Sequence, residues 1–343
     1  MIKARGLARE FRKKGRGSEP VLAVRGVDID VGSGELVGFL GPNGAGKTTT
    51  LRMLTTLLSP TAGEATVAGH DLREHPIKVR QSIGYVAQGG GTAGESKVLE
   101  EIELQGELYG LSRQKARRRG NELMHQLDLA SLEQRLTNTL SGGQQRRLDI
   151  VLGLVHDPGL VFLDEPSTGL DPQSRANLWE HIRRLRSEEG VTIFLTTHYL
   201  DEADALCDRI LVIDHGEIVA EGTPEELKAR VSGDGVTIGV PSASVPRAAE
   251  LAGEIAGAHE ITPGDESISF RVPRGDTAMP EMLRGLDSAG IAMLSAQVQR
   301  PTLDDVFLTL TGRSLRDAEQ SAQPPSPTEQ PHQDDTEGAG HAT

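Results

Sequence analysis

The chain has 343 residues, of which 36% are hydrophobic and 25% charged, a composition typical of a folded protein with room for two domains. It contains no run of about 18 apolar residues, so the sequence predicts no membrane-spanning helix. The net charge of −14 argues against a protein with a broad basic face, and we predict no nucleic-acid partner. The single cysteine, Cys207, excludes an internal disulfide, and its amphipathic surroundings favour a buried apolar role over catalysis.

Apolar strands alternate with helical stretches throughout residues 1–231 and predict one α/β domain. VLAVRGVDIDV alternates apolar and polar residues, as a half-buried strand does, whereas ELVGFLG is nearly all apolar, as a buried strand is. Further strands are predicted in VRQSIGYVAQ, GLVFLDEP, VTIFLTTH and RILVIDHGEIVAEG.

A glycine-rich loop follows ELVGFLG and opens the helical stretch TTTLRMLTTLL, which is the context of a phosphate-binding P-loop. Its glycines let backbone N–H groups surround phosphate oxygens, and the helix N-terminus adds a positive dipole end. Lys47 can reach the β- and γ-phosphates of ATP, and the Thr48 hydroxyl can ligate Mg²⁺. The predicted nucleotide contacts in this loop are Gly41, Pro42, Asn43, Gly44, Ala45, Gly46, Lys47, Thr48 and Thr49.

The strand pattern disappears between about residues 89 and 139. GESKVLEEIELQGELYGL and SRQKARRRGNELMHQLDL have helical periodicity there, so we predict a helical subdomain inserted into the α/β domain. The basic run Lys115–Arg119 is interpreted as a solvated helix face, with a contact to lipid headgroups or to a partner as the alternative.

A second candidate anion-binding loop, LSGGQ, occupies residues 140–144 and precedes the helical stretch RRLDIVLGLVHD. Backbone N–H groups at a helix N-terminus suit an anion, although the same pattern also fits an ordinary capped helix. The residues concerned are Ser141, Gly142, Gly143 and Gln144.

Two carboxylates follow the apolar strand that starts at Leu160. Ligands of open α/β sheets bind at the carboxyl ends of the strands, where Asp164 and Glu165 lie. Asp164 is predicted to hold Mg²⁺, directly or through water, and Glu165 to polarise the attacking water as a general base. A strand that simply ends at a charged loop is the alternative.

A second domain is predicted over residues 232–313, where strands and helices alternate again and favour a small split βαβ module. It shows no catalytic constellation. Residues 314–343 are acidic, rich in Pro, Gln and Ser and poor in apolar residues, so they are predicted to be a disordered tail.

The order of these motifs resembles that of the ABC ATPases. The P-loop is followed by Gln88, LSGGQ, the strand ending in Asp-Glu, Ser167-Thr-Gly-Leu-Asp171 and His198, and the resemblance covers residues 1–231. It implies a P-loop NTPase fold that binds and hydrolyses ATP with Mg²⁺. TLSGGQQRRLDI, TTHYLDEAD and the appended C-terminal module are most similar to the drug-resistance subfamily that includes the daunorubicin-resistance ATPases.

The resemblance implies a role for each matching residue. Gln88 would sense Mg²⁺ and the γ-phosphate, His198 would contact the γ-phosphate and position the nucleophile, and Asp171 would cross a dimer interface. Phe11 falls where the family places an aromatic residue that stacks on adenine, although a loop Phe can also simply anchor a core.

The resemblance also implies partners. Two copies of the chain would pack head to tail, each ATP lying between the P-loop of one and the LSGGQ loop of the other. Since the chain has no predicted span, a separate permease at the cytoplasmic face of the membrane would form the conduit, and the subfamily favours export of a small molecule. An importer ATPase stays open as an alternative, as does a soluble ABC ATPase acting on ribosomes or DNA. The sequence does not identify the cargo.

Overall fold

A computed structural model describes residues 1–12, 20–89, 94–231 and 233–312. The predicted tail at residues 314–343 lies outside the described residues. The strands are β1 Ile2–Phe11, β2 Val21–Val31, β3 Leu36–Leu40, β4 Ala62–Val67, β5 His70–Asp71, β6 Ile83–Val86, β7 Leu160–Asp164, β8 Thr192–Thr197, β9 Arg209–Asp214, β10 Glu217–Gly222, β11 Asp234–Gly239, β12 His259–Pro263, β13 Ser267–Val272 and β14 Ser295–Gln299. The helices are α1 Lys47–Leu54, α2 Pro76–Ser82, α3 Val98–Leu108, α4 Arg113–Gln126, α5 Gly142–Leu154, α6 Pro172–Glu189, α7 Leu200–Leu206, α8 Pro224–Ala229, α9 Val245–Glu254, α10 Gly275–Ser288 and α11 Leu303–Thr311.

A six-stranded sheet in the order β10-β9-β3-β8-β7-β6 forms the centre of the α/β fold. Its strands run parallel except β10, which pairs antiparallel with β9 at the edge. All residues of β3, β7 and β8 are buried, which explains their continuous apolar character, because parallel sheets are covered on both faces. Alternate side chains of β3 serve different cores: Leu36 and Leu40 face one cluster, and Val37 and Phe39 face the other.

An antiparallel sheet in the order β2-β1-β4-β5 covers one of these faces together with α1. Its strand β2 shows the predicted alternation of buried and exposed residues. Helices α3 to α7 pack against the other face, where they contribute to the larger core cluster.

The described part of the segment predicted to be a helical subdomain is mostly helical. Between residues 94 and 139 the structure contains α3, α4 and two short 3₁₀ turns, and the only β-type pairing there is an isolated bridge between Lys97 and Leu136. Most of the basic run in α4 is exposed, whereas Arg119 is partly buried and pairs with Glu189 at 2.8 Å.

The C-terminal part has the order β11-α9-β12-β13-α10-β14 and an antiparallel sheet ordered β12-β13-β11-β14, a complete split βαβ arrangement. The sequence analysis missed β12, because the short segment HEITP contains Pro and buries little of its surface. The last helix, α11, was assigned to this module by sequence. Its buried side chains Leu303, Val306 and Phe307 belong instead to the core cluster of the α/β domain, next to α7 and α8.

Candidate active site

The glycine-rich loop lies at the carboxyl end of β3, and close backbone contacts there require two of its glycines. A Cβ atom on Gly41 would lie 2.2 Å from the carbonyl oxygen of Ile213. Gly46 is the N-cap of α1 with φ +108°, and a Cβ atom on it would lie 2.7 Å from the carbonyl oxygen of Ala23. Only glycine fits both positions. The two glycines therefore allow the loop to lie directly at the N-terminus of α1, and this end of a helix favours anions.

A cavity of about 200 Å³ opens beside this loop. It is lined by Ala23, Asn43, Gly44, Gly46, Lys47, Thr48, Thr49, Gln88 and Glu165. Lys47 is 4% exposed, and its Nζ donates to the carbonyl oxygens of Gly41 at 2.7 Å and Pro42 at 3.1 Å. A larger cleft of about 690 Å³ near α8 contains none of the predicted site residues. The smaller cavity is therefore the candidate active site because of the residues that line it, although it is not the larger of the two.

The two predicted metal-binding oxygens from distant parts of the chain come together at this cavity. The Thr48 hydroxyl donates to Asp164 Oδ1 at 3.2 Å, and the Thr196 hydroxyl donates to the same oxygen at 2.6 Å. No group of three or more His, Cys, Asp or Glu residues that could hold a metal occurs in the described chain. A hydroxyl and one carboxylate fit Mg²⁺, which usually keeps several waters and phosphate oxygens as ligands.

Glu165 is the most connected side chain of the site. Its backbone has φ +45°, a left-handed conformation uncommon for a non-glycine residue, and its N–H donates to the Thr196 carbonyl oxygen at 3.1 Å. Its Oε2 accepts from Gln88 Nε2 at 2.8 Å and from the Thr168 hydroxyl at 3.2 Å, and lies 3.3 Å from His198 Nδ1. The structure thus brings Gln88, Glu165 and His198 together.

The electrostatic surroundings keep Glu165 ionised. Burial by itself raises the pKa of this carboxyl, but the His198 ring, whose Nδ1 lies 3.3 Å from Oε2, and the positive charge of Lys47, 3.5 Å away, outweigh burial and lower the pKa below its ordinary value. An ionised carboxylate in a cavity, 7% exposed, has the form needed to accept a proton from water.

Arg146 is a buried site residue that the sequence analysis missed. Its guanidinium donates to three carbonyl oxygens, those of Asp164 at 2.9 Å, Pro166 at 2.8 Å and Ala87. It therefore fixes α5 to the end of β7 and to the segment before Gln88. Its position in the sequence could have identified it. Arg146 lies four residues before Ile150 on the apolar face of α5, and a cation there must have buried partners.

The LSGGQ loop and Asp171 lie outside this cavity. Ser141 and Gln144 form a capping box at the start of α5, with the Ser141 N–H donating to Gln144 Oε1 at 3.0 Å. A Cβ atom on Gly143 would lie 2.9 Å from Ser174 Oγ, which places the loop beside the N-terminus of α6, capped by Asp171. None of Ser141, Gly142, Gly143, Gln144 and Asp171 lines the P-loop cavity of its own chain.

Phe11 ends β1 with 38% of its surface exposed, opposite Val21 on β2. The Arg9 guanidinium lies 4.8 Å from the ring centroid, and Phe11 does not line the cavity. Residues 13–19, which follow it, lie outside the described residues. Its role in stacking on adenine stays a prediction.

Comparison with known proteins identifies the family. The sequence profile described as "ABC transporter" matches residues 24–168, and that described as "ATP-binding protein DrrA1-3-like, C-terminal domain" matches residues 222–311. The daunorubicin resistance ATP-binding protein DrrA3 of Streptomyces coeruleorubidus is 42% identical over 296 residues, covering 86% of this chain and 92% of the relative. The chain belongs to the ABC transporter family as an ATP-binding subunit.

More distant relatives and solved structures indicate the same family. The linearmycin resistance ATP-binding protein LnrL of Bacillus subtilis is 35% identical over 320 residues, covering 92% of this chain and all of the relative. A solved dimeric ATP-binding cassette, in a post-hydrolysis state bound to ADP and Pi, has a TM-score of 0.59 and 27% identity, covering 65% of this chain and 98% of the cassette. The cassette structure of cbiO1 from Clostridium perfringens, part of an ABC transporter complex, also has a TM-score of 0.59.

These comparisons confirm the predicted fold class, the ATPase activity and the drug-resistance subfamily of ABC subunits. The ABC transporter match includes the P-loop, Gln88, the LSGGQ loop and the Asp-Glu pair, whereas Asp171 and His198 lie beyond its end. The match to the C-terminal domain begins at residue 222, ahead of the predicted domain boundary at residue 231, which stays a prediction.

Proposed function

We propose that Glu165 is the general base of the ATPase reaction and that Lys47 stabilises the transferred γ-phosphoryl group. In-line attack requires a proton acceptor for water on one side and compensation of phosphate charge on the other. Glu165 offers an ionised carboxylate in the cavity, and the Lys47 ammonium lies 3.5 Å from it beside the P-loop. Glu165 Oε1 or Oε2 would take the proton of the attacking water, while Gln88 and His198 orient the carboxylate.

Mg²⁺ is proposed to bind at the Thr48 hydroxyl and Asp164, with Gln88 near it. The support is the 3.2 Å hydrogen bond that joins Thr48 to Asp164, together with the position of Thr48 and Gln88 in the lining of the cavity. Bound there, the ion supplies charge neutralisation for the β- and γ-phosphates.

The nucleotide sites are proposed to be shared between two copies of the chain. Within one chain the LSGGQ loop is absent from the P-loop cavity, although it is a second anion-binding loop at a helix N-terminus. A head-to-tail homodimer brings the loop of one copy to the P-loop of the other under a two-fold axis. A similar solved cassette is dimeric.

The transport function proposed is ATP-driven export of a drug-like small molecule through a separate permease. The observation that carries it is the similarity to drug-resistance ATP-binding proteins along 86% of the chain, including the C-terminal region. No helix in the described residues is long and apolar enough to cross a membrane. We therefore propose a peripheral subunit held at the cytoplasmic face of the membrane by its permease.

Drug accumulation tests this proposal. Cells that produce the chain together with the membrane protein that copurifies with it should retain less daunorubicin than cells that produce the Glu165→Gln variant with the same protein. Greater retention with the active chain would favour an importer. Equal retention in the two kinds of cell, for daunorubicin and for other drugs, would contradict drug export. The chain should sediment with membranes only when that membrane protein is present.

A further inference from the structure

Glu202 on α7 is a fully buried carboxyl group outside the nucleotide cavity. It is 0% exposed and lies four residues after His198. Its Oε1 accepts hydrogen bonds from the Ser167 hydroxyl and from Trp179 Nε1, the latter at 3.1 Å. Trp179 Nε1 also lies 3.0 Å from Ser167 Oγ, so the three side chains form a closed triangle. The triangle therefore supplies Oε1 with two donors, whereas Oε2 has no hydrogen-bond partner among the described residues.

The triangle joins three elements that each carry a predicted functional residue. Ser167 lies in the loop between β7 and α6, two residues after Glu165 and four before Asp171, and is 1% exposed. Trp179 lies on α6, the helix that Asp171 caps. Glu202 lies on the helix that follows His198.

A second set of contacts, closer to the surface, also joins α6 to the segment of His198. The Arg175 guanidinium on α6 lies 5.5 Å from the ring of Trp179 and 5.4 Å from the ring of Tyr199. The Tyr199 ring in turn lies 4.1 Å from the His198 ring. The start of α6 and the segment of His198 are therefore attached at two separate points.

We propose that Glu202 is a positioning residue that makes the Ser167–Asp171 loop and the His198 segment move as one unit. A second copy of the chain that contacts Asp171 would then displace His198, and through it the carboxylate of Glu165. The proposal rests on the shared nucleotide site proposed above. Its physical basis is that a buried hydrogen-bonded network is stiff. Removing its acceptor leaves the buried Ser167 hydroxyl without this partner and Trp179 Nε1 with Ser167 Oγ as its acceptor.

The carboxyl group of Glu202 is a hydrogen-bond acceptor that a variant can either keep or remove. Burial raises the pKa of Glu202, against the lowering effect of its hydrogen-bond donors. Gln keeps an oxygen that can accept from Ser167 and Trp179, whereas Leu has similar size and no acceptor. The pair Glu202→Gln and Glu202→Leu therefore separates hydrogen bonding from packing.

Steady-state ATPase kinetics provide the first test. Glu202→Leu should lower kcat at least about tenfold with KM for ATP changed less than about twofold, and Glu202→Gln should retain at least half of the wild-type kcat. The matched control is Glu103→Leu, which removes another buried carboxylate, paired with Arg113 at 2.7 Å on the helical subdomain. This control should lower Tm and leave kcat near the wild-type value. A Glu202→Leu enzyme with normal kcat, or kcat losses equal in both Leu variants, would overturn the proposal.

Tryptophan fluorescence provides a readout that packing alone would not change. Trp179 is the single tryptophan of the chain, so its emission reports on this cluster. In the Glu165→Gln background, ATP should shift the emission as dimers form, and adding Ser167→Ala should remove at least half of that shift. If ATP forms dimers on size-exclusion chromatography and the shift is unchanged by Ser167→Ala, the coupling is wrong while the shared site stands. If ATP forms no dimers, the shared site on which the proposal depends is wrong.

Discussion

At the scale of single residues, the site depends on opposing effects on one carboxylate. Lys47, Gln88, Thr168 and His198 all contact Glu165. The effects of His198, Lys47 and Thr168 on its pKa together outweigh that of burial. Replacing Glu165 by Gln preserves the shape and removes the proton acceptor. We expect this variant to bind ATP and to hydrolyse it about 10²–10⁴-fold more slowly, and hence to accumulate an ATP-bound dimer. Phosphate release and size-exclusion chromatography with ATP measure both effects; near-normal turnover, or no ATP binding, would reject the assignment.

The lowered pKa of Glu165 also makes a prediction about stability. A carboxyl whose pKa is lower in the folded state stabilises the fold above its unfolded pKa, near the ordinary value of 4.5, and this contribution disappears as pH falls through the folded pKa. Glu165→Gln lacks it at every pH. The Tm of this variant relative to the wild-type Tm should therefore rise as pH is lowered from about 6 to about 3, measured by thermal unfolding. A Tm difference independent of pH, or one that falls, would contradict the lowered pKa.

Arg146 is predicted to be essential for the structure of the site. Arg146→Met would leave the carbonyl oxygens of Ala87, Asp164 and Pro166 without this donor, at a cost of about 3 kcal/mol of unfolding free energy and a large part of the ATPase rate. Arg147→Met is the matched control on the same helix, since that side chain is only partly buried. Denaturant unfolding compares the two, and equal stabilities would refute the role of Arg146.

At the scale of elements, the sequence predicted the strands and helices that carry the site. The apolar runs of β3 and β7 are buried on both faces, and a serine N-cap marks the start of α4 and of α5, so local patterns sufficed. The pattern was too weak to predict β1, β4, β5 and β12. The register of β1 shifts between Ala4 and Leu7, which breaks its alternation, and β12 is short and largely exposed.

The resemblance to the ABC ATPases supplied Gln88 and His198, and contiguous motifs supplied the other candidate catalytic and metal-binding residues. Lys47, Thr48, Asp164 and Glu165 were found in this way. The contribution of Arg146 depends on which carbonyl oxygens the fold brings to α5, and that information is not local to the helix. The same reason applies to the packing of α11, which could not be inferred from its own amphipathic pattern.

The position of α11 makes a testable prediction. Phe307 is 1% exposed within the core of the α/β domain, whereas its neighbour Leu308 is 47% exposed. Phe307→Ala should lower the unfolding free energy by about 3–5 kcal/mol, and Leu308→Ala by less than about 1 kcal/mol. Thermal or denaturant unfolding of the full chain decides this, and similar losses for both variants would show that α11 does not belong to that core.

At the scale of the whole molecule, the proposed shared site divides between two regions of one chain. The P-loop cavity contains Lys47, Gln88 and Glu165, while the LSGGQ loop lies next to Ser174 at the start of α6. Under this proposal a single copy is incomplete, and association controls hydrolysis. A variant that tests the loop must not disturb its own chain. Gly142 meets this condition, because a Cβ atom there would have no neighbour within 4 Å, whereas one on Gly143 would collide with Ser174.

The most direct test of the shared site uses a mixed dimer of one Lys47→Ala chain and one Gly142→Asp chain, purified through two different affinity tags. The quantity measured is its ATPase activity. Each homodimer should be inactive, because Lys47→Ala damages its own P-loop and Gly142→Asp places a negative charge against the γ-phosphate bound by the partner; Gly142→Ala is the control and should stay active. In the mixed dimer both defects fall in one site, and the other keeps an intact Lys47 and an intact Gly142. The account predicts ATPase activity in the mixed dimer well above that of either homodimer. A mixed dimer that binds ATP at its intact P-loop and shows no activity above the two homodimers would contradict it.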